Sequence, residues 1–274
     1  MQEVLWLILH DGDIEGARKK QVYFRSPFLE FKDEILNEVG IELANPMSSP
    51  RIIKSHLQVH MMPKEINQTD SKIIIVLRNP KDLCVSYYNF YRSSSSVGNF
   101  KGTWSEFLEM FKDGYVDHGS WVDFTRSWWG QRDNPNVKIV YYEDMKKESD
   151  LSDETVCKIT DHCSFDSMRS NPMTNHHDVY SINKDISPLL RKEAIAQSIS
   201  PKANGILLID ELNTANFYII KEQKLLNMLV KEITPLTGTV GDWKNTFTVT
   251  QNEDFDVYIQ DKIGDLEIPF KYEI

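Results

Sequence analysis

The sequence has no apolar run long enough to cross a bilayer, and it has only three cysteines among 274 residues. A membrane-spanning helix needs about 20 consecutive apolar residues, and the apolar stretch 4–9 near the start is far shorter. That stretch also lacks the basic flank and the cleavage site of a signal peptide. The spacing of Cys84, Cys157 and Cys163 is not that of a disulfide framework. We therefore expect a cytoplasmic protein without a membrane partner.

The sequence also lacks an excess of basic charge, since it has 31 Lys and Arg against 41 Asp and Glu. The net charge is -10 at pH 7 and the pI is about 5.2, which argues against a general nucleic-acid binder. A small anionic ligand is still compatible with this charge, provided that Arg, Lys and helix N-termini cluster locally. A length of 274 residues suits one large α/β domain or two small ones.

Alternating strand and helix patterns predict an α/β fold with a central parallel sheet covered on both faces. The runs RIIKSHL (51–57), KIIIVLR (72–78) and VKIVYYED (137–144) are rich in β-branched residues, and the second is typical of a strand buried on both sides. Asn79 and Pro80 then resemble the cap and first position of a helix. Thr103 and Glu106 form the pattern of a capping box, and Gly114 follows that predicted helix.

Residues 193–237 differ in composition from their surroundings, because Trp and Arg disappear and Ile, Leu, Lys, Glu and Asn dominate. We interpret the segment as an atypical insertion. Its second half has the spacing of an amphipathic helix, with apolar positions at Phe217, Ile220, Leu225, Met228, Leu229 and Ile233.

Two groups of residues follow predicted strands and could carry chemistry. Arg78 ends a strand and Ser86 lies on the next helix, so the pair could clamp an anion at the carboxyl edge of the sheet; alternatively, Arg78 pairs with a neighbouring carboxylate. Lys54 and His56 share one side of another strand and could act as a charge stabiliser and a proton acceptor. His56 and His60 have the spacing of a helical zinc pair, but the segment is a predicted strand, so we expect no metal.

Taken together, several stretches resemble the cytosolic sulfotransferase family. They are RIIKSHL, IIIVLRNPKDLCVSYYNFYR, GTWSEF, GSWVDFTRSWW, YYEDMKK, SFDSMRSNPMTN and GDWKNTFTVTQNEDFD. They occur in the family's order over most of residues 1–192 and 238–274. The resemblance implies a single sulfotransferase domain over 1–274 with a fold like that of P-loop nucleotide hydrolases. It also implies transfer of a sulfuryl group from 3'-phosphoadenosine 5'-phosphosulfate (PAPS) to a small acceptor, with no metal.

The resemblance also implies roles for individual residues. His56 matches the catalytic base, and Lys54 matches a lysine that holds the transferring group. The residues that match the nucleotide site are Arg78, Ser86, Tyr142, Ser164, Phe165, Met168, Arg191, Lys192 and Gly238. Lys244, Thr248, Val249 and Glu253 match a dimer-forming motif, which implies a homodimer. The acceptor class is a phenol, steroid, alcohol or amine, and Phe24, Phe28, Tyr88 and Phe90 are candidates for its pocket wall or for ordinary core packing.

The sequence also departs from the family pattern. The family's first strand and its phosphate-binding loop precede the helix that corresponds to residues 2–9, so we expect a domain that is incomplete at its N-terminus and has an unpaired sheet edge. The segment 193–237 separates Lys192 from Gly238, which the family places side by side. Three alternatives follow: an active enzyme whose sequence here is incomplete, an inactive member that keeps the 3'-phosphate site and dimer motif, or an unstable fragment.

Overall fold

The computed structural model describes residues 1–30, 32–33, 38–64, 66, 71–144, 154–174, 216–220 and 240–273. The helices are α1 (Gln2–Leu9), α2 (Ile14–Ala17), α3 (Val22–Arg25), α4 (Gly40–Ala44), α5 (Pro80–Ser93), α6 (Trp104–Asp113), α7 (Trp121–Trp129), α8 (Glu154–His162), α9 (Phe165–Ser170) and α10 (Val249–Ile263). The strands are β1 (Lys32–Asp33), β2 (Glu38–Val39), β3 (Ile53–Ser55), β4 (Lys72–Leu77), β5 (Val137–Tyr141) and β6 (Asn216–Ile220). Short 3-10 helices cover Val59–Met61, Ser95–Val97, Asp242–Asn245 and Gly264–Leu266.

The central sheet has four strands in the order β3-β6-β4-β5. Strands β4 and β5 are parallel, with Ile75 opposite Ile139. Strand β6 is antiparallel to both β3 and β4, so β3, β4 and β5 all run in the same direction. The α/β fold is therefore as predicted, although the sheet is mixed rather than wholly parallel. A separate two-stranded antiparallel sheet joins β1 to β2.

Strand β4 is buried on both faces, as its continuous apolar sequence predicts. Ile73, Ile75 and Leu77 belong to the core that α5, α6, α7 and α10 form on one side. The alternate residues Ile74 and Val76 belong to a second core, which contains α1. Alternation of side chains across a strand places successive residues in the two cores. The apolar helix α1 thus packs on one face of the sheet.

Strand β6 corrects one prediction. The segment that contains Phe217 and Ile220 is a strand and not part of a helix. The remaining positions of that predicted helix, 225–233, lie outside the described residues. The expected unpaired sheet edge stays a prediction: among the described residues, β6 lies between β3 and β4 and pairs with both. That 1–274 form a single domain stays a prediction.

The predicted caps are confirmed. The Asn79 side chain accepts a hydrogen bond from the Asp82 N–H at the start of α5, with Pro80 in the first turn. Thr103 and Glu106 form a reciprocal capping box on α6, which ends at Gly114 with φ 75°. Within the described ranges, no helix is both long enough and apolar enough to cross a membrane. Cys84 and Cys163 are buried free thiols.

Candidate active site

Three predicted site residues follow directly on parallel strands. His56 follows β3, Arg78 follows β4 and Tyr142 follows β5. Because the three strands run in the same direction, these residues lie at the same edge of the sheet. Ligands of open α/β sheets bind outside this carboxyl edge. The topology therefore brings the predicted base and the predicted anion clamp to one edge.

His56 is buried, with a relative exposure of 2%. Neither ring nitrogen has a hydrogen-bond partner among the described residues. The ring meets Phe28 edge-on at 4.6 Å between centroids and stacks on His118 at 4.1 Å. Burial, followed by the charges of His118 and Lys54, lowers the pKa of His56 well below its ordinary value. The imidazole is therefore neutral near pH 7 and has a nitrogen available to accept a proton.

Lys54 lies close to His56, because both side chains contact the Phe28 ring. Its ammonium is 5.4 Å from the centre of the Phe28 ring, the ring that His56 also contacts. The backbone of residues 27–29 runs alongside β3, because the Lys54 N–H donates to the Pro27 carbonyl at 2.9 Å and the Leu29 N–H donates to the Lys54 carbonyl at 2.8 Å. Lys54 itself is 2% exposed. A buried cation beside a neutral imidazole suits the stabilisation of an anionic group.

Two further residues surround His56, and the sequence did not indicate either of them. The Glu30 carboxylate accepts hydrogen bonds from the Ser55 hydroxyl at 3.0 Å and from the His56 backbone N–H. Its Oε1 lies 3.6 Å from His56 Nδ1. Burial raises the pKa of Glu30, while these hydrogen bonds oppose the shift. His118 precedes α7 in a left-handed backbone conformation with φ 65°, and burial lowers its pKa while Asp117 opposes the shift.

The first turn of α5 adjoins Arg78 at the end of β4. The Asn79 N–H donates to Glu143 at 2.8 Å, which ties this turn to the end of β5. The Arg78 guanidinium lies 4.5 Å from the centre of the Tyr142 ring. Ser86 is half-buried in the second turn of α5. A helix N-terminus and an arginine at one strand end are the elements of an anion site.

The residues predicted to surround the adenine belong to one region. Ser164 caps α9 by accepting a hydrogen bond from the Ser167 N–H at 3.4 Å, and Phe165 is the first residue of that helix. Met168 is buried in the same apolar cluster as Tyr142. The structure thus places Tyr142 and Met168 in one apolar cluster, and Tyr142 lies beside Arg78.

Arg191, Lys192 and Gly238 lie outside the described residues. Just beyond Gly238, the chain is attached to the first turn of α5. The N–H groups of Gly241 and Trp243 both donate to the Asp82 carboxylate, at 2.8 and 3.0 Å. The predicted phosphate element therefore precedes a segment that is fixed to the helix of the anion site.

The four residues of the predicted dimer motif occur around the start of α10. Lys244 is bonded to Glu273 at 2.5 Å, and Thr248 caps the helix in a capping box with Gln251. Val249 is 76% exposed, and Glu253 is also exposed. The motif thus presents an exposed aliphatic side chain beside a capped helix end.

The candidate acceptor-wall residues separate into two places. Phe28 contacts His56 directly, whereas Phe24 packs on Tyr23 at 4.4 Å. Tyr88 and Phe90 belong to the core formed around α5 and α6, where Tyr88 meets Trp104 and Phe107. Phe28 is therefore the member of this set that the structure places beside the predicted base.

Comparison with known proteins relates this site to one family. The family model described as a sulfotransferase domain matches residues 1–197. Sulfotransferase 1C2 of Rattus norvegicus is 32% identical over 289 aligned positions, which cover 100% of this chain and 82% of the relative. Sulfotransferase 1E1 of Homo sapiens is 30% identical with the same coverage of both.

Solved structures show the same fold. Retinol dehydratase in complex with androsterone and the inactive cofactor PAP superimposes with a TM-score of 0.68 at 18% identity, over 98% of this chain and 78% of that one. A mouse sulfotransferase complexed with PAP has a TM-score of 0.55 at 28% identity, over 82% of this chain and 70% of the other. The α/β architecture described above is the architecture of these proteins.

Proposed function

The chain belongs to the sulfotransferase family, and from that premise we propose that it transfers a sulfuryl group from PAPS to a hydroxyl or amine of a small molecule, with His56 as the base. The observation that carries this proposal is the position of His56. Its imidazole is buried and has no hydrogen-bond partner among the described residues. It lies beside Lys54 and at the same sheet edge as Arg78.

The residues at this edge suit an in-line transfer. His56 takes the proton of the acceptor, and the acceptor oxygen or nitrogen forms a bond to sulfur. The bond between sulfur and the bridging oxygen of the nucleotide breaks, and PAP leaves with that oxygen. Charge spreads over the three sulfuryl oxygens, as in phosphoryl transfer, and the Lys54 ammonium stabilises it.

The nucleotide half of the proposal rests on the second group of residues. Arg78, Ser86 and the N-terminus of α5 would bind the 3'-phosphate, where charge-assisted hydrogen bonds are strongest. Tyr142, Ser164, Phe165 and Met168 would surround the adenine. The PAP in the related structures supports a nucleotide of this class. Arg191, Lys192 and Gly238 complete the phosphate site in this proposal.

A second candidate function is nucleotide binding without transfer, and the direction of β6 favours it. Strand β6 begins at the carboxyl edge with Asn216 and runs away from it, antiparallel to β3 and β4. Backbone N–H groups bind phosphate where a strand ends at the ligand edge and leads into a loop and a helix. Strand β6 runs away from that edge, so it does not lead into such a loop there. The end of β4 and the start of α5 do not depend on β6 for their anion site.

One set of measurements separates the candidates. Transfer from radiolabelled PAPS to a simple phenol is measured alongside calorimetric binding of PAP, for the wild type, His56→Ala and the exposed-histidine control His60→Ala. General base catalysis contributes about 10²–10⁴ in rate, so we expect a loss of that size in His56→Ala, with PAP binding retained and His60→Ala unchanged. Binding of PAP without turnover in the wild type supports the second candidate. Turnover that survives in His56→Ala refutes His56 as the base.

A further inference from the structure

We propose that Glu30, His56 and His118 form a binding site for a zinc-class divalent ion that inhibits the protein by occupying the His56 imidazole. The inhibition rests on the proposed function, whereas the binding does not. One potential ligand atom from each of the three residues lies within 4.8 Å of the other two. Glu30 comes from the turn that follows Phe28, His56 directly follows β3, and His118 comes from the turn before α7. Two imidazoles and a carboxylate are a donor set that zinc uses with an open fourth position.

Unpaired polar atoms concentrate at this cluster. Among the described residues, the buried side-chain atoms without a hydrogen-bond partner include both ring nitrogens of His56, Nε2 of His118 and Oε2 of Glu30. His118 Nε2 lies 3.3 Å from an Asp117 carboxylate oxygen, but without the geometry of a hydrogen bond. A buried unsatisfied polar group costs about 1–3 kcal/mol, so several at one point need a physical explanation. Metal coordination would satisfy atoms of all three residues.

The potential ligand atoms must move slightly closer together to bind one ion. Ligand atoms of a tetrahedral zinc ion, with bonds of about 2.0–2.2 Å, are about 3.3 Å apart. Glu30 Oε1 is already 3.6 Å from His56 Nδ1. The His118 ring stacks on His56 with an interplanar angle of 13°, so it must turn to direct a nitrogen lone pair at the same ion. His118 and Glu30 are partly exposed, which leaves room for this rotation while His56 stays fixed.

The local charges favour a dication over a monocation or an anion. Glu30 and Asp117 supply two carboxylates, while Lys54 is the opposing cation and lies against Phe28. Imidazole is a poor ligand for Mg²⁺ and Ca²⁺, which prefer oxygen. The site should therefore discriminate between Zn²⁺ and Mg²⁺. A metal ion bound to His56 would occupy the nitrogen lone pair. The imidazole could then not take the proton of the acceptor substrate.

The test begins with binding alone. The purified chain is freed of metal with a chelator and titrated with Zn²⁺ in a calorimeter, with Mg²⁺ as the comparison ion. We expect one Zn²⁺ per chain and no heat from Mg²⁺. The variants His118→Ala and Glu30→Gln should each weaken Zn²⁺ binding at least about 10-fold, because losing a direct ligand should cost no less than losing an outer contact that supports one, while His60→Ala binds as the wild type. Equal affinity in His118→Ala and the wild type overturns the site.

Two further measurements test the metal site and its inhibitory role separately. The first includes a check that the variant is folded. Co²⁺ in the site should give the visible bands of a four-coordinate ion in the wild type and lose them in Glu30→Gln, while circular dichroism checks that the variant is folded. A folded Glu30→Gln variant with unchanged Co²⁺ bands refutes the ligand set. Where transfer is measurable, Zn²⁺ should inhibit the wild type in proportion to occupancy. Full occupancy with unchanged turnover contradicts the inhibitory role, and binding in a chain without turnover contradicts only the proposed function.

Discussion

Replacing Asp82 tests how the start of α5, and with it the proposed anion site, is held in place. The Asp82 carboxylate is 1% exposed. It accepts hydrogen bonds from the N–H groups of Gly241 and Trp243 and, at 2.7 Å, from the Asn79 side chain. Asp82→Ala leaves three donors without this acceptor. An unsatisfied buried donor costs about 1–3 kcal/mol, and Gly241 and Trp243 are only half-buried, so the low end of that range applies. We expect a loss of about 3 kcal/mol in the free energy of unfolding.

Urea unfolding, followed by circular dichroism and by tryptophan fluorescence, measures this loss. The matched control is Asp256→Asn, since Asp256 is a half-exposed carboxylate that pairs with Lys81 at 2.6 Å in the same region. Water screens the Asp256 side of this pair, and the buried Lys81 keeps its hydrogen bond to Asn252, so the control should change stability by no more than about 1 kcal/mol. Asp82→Asn keeps one acceptor oxygen and should fall between the two. A loss in Asp82→Ala no larger than in Asp256→Asn would refute the argument.

Three other predictions concern single sites. Arg78→Ala should weaken PAP binding about 10- to 100-fold, because a hydrogen bond to a charged group is worth about 1.5–3 kcal/mol; calorimetry measures this, and unchanged affinity removes Arg78 from the clamp. Burial raises the pKa of Glu143 above its ordinary value of 4.5, so its contribution to stability is greatest below that pH and is lost as the pH rises through the folded-state pKa. Glu143→Gln should therefore gain stability relative to the wild type as the pH rises above 4.5, and a difference that is flat with pH contradicts this. Val249→Asp should convert a dimer to a monomer in sedimentation experiments, because Val249 is an exposed aliphatic side chain in the motif; a wild type that is already monomeric contradicts the dimer proposal.

Local signals made much of the fold predictable. Asn79, Thr103 and Glu106 determine helix starts through hydrogen bonds within three residues of themselves, and the sequence shows such contacts directly. Strand β4 was equally clear, because residues 73–77 are an unbroken run of apolar, mostly β-branched residues. In each case the sequence and the tertiary structure favour the same conformation.

Strand β6 and the surroundings of His56 were not predictable in this way. Phe217 and Ile220 have a helical spacing, but the run NFYII also suits a strand, and pairing with two neighbours decides between them. Glu30 and His118 reach His56 from distant parts of the chain. No periodicity or spacing links residues that meet only through tertiary packing.

Strand β6 lies between the residues proposed to bind the nucleotide and the residues proposed to carry out the transfer. The proposed anion site at Arg78 consists of the end of β4, the start of α5 and the Glu143 contact, which all lie on the same side of β6. His56 and Lys54 instead belong to β3, on the other side of β6. A ligand that bridges Arg78 and His56 must therefore pass the amino end of β6 at Asn216. Nucleotide binding at Arg78 needs no such passage, so PAP affinity should be the more robust property and transfer the more sensitive one.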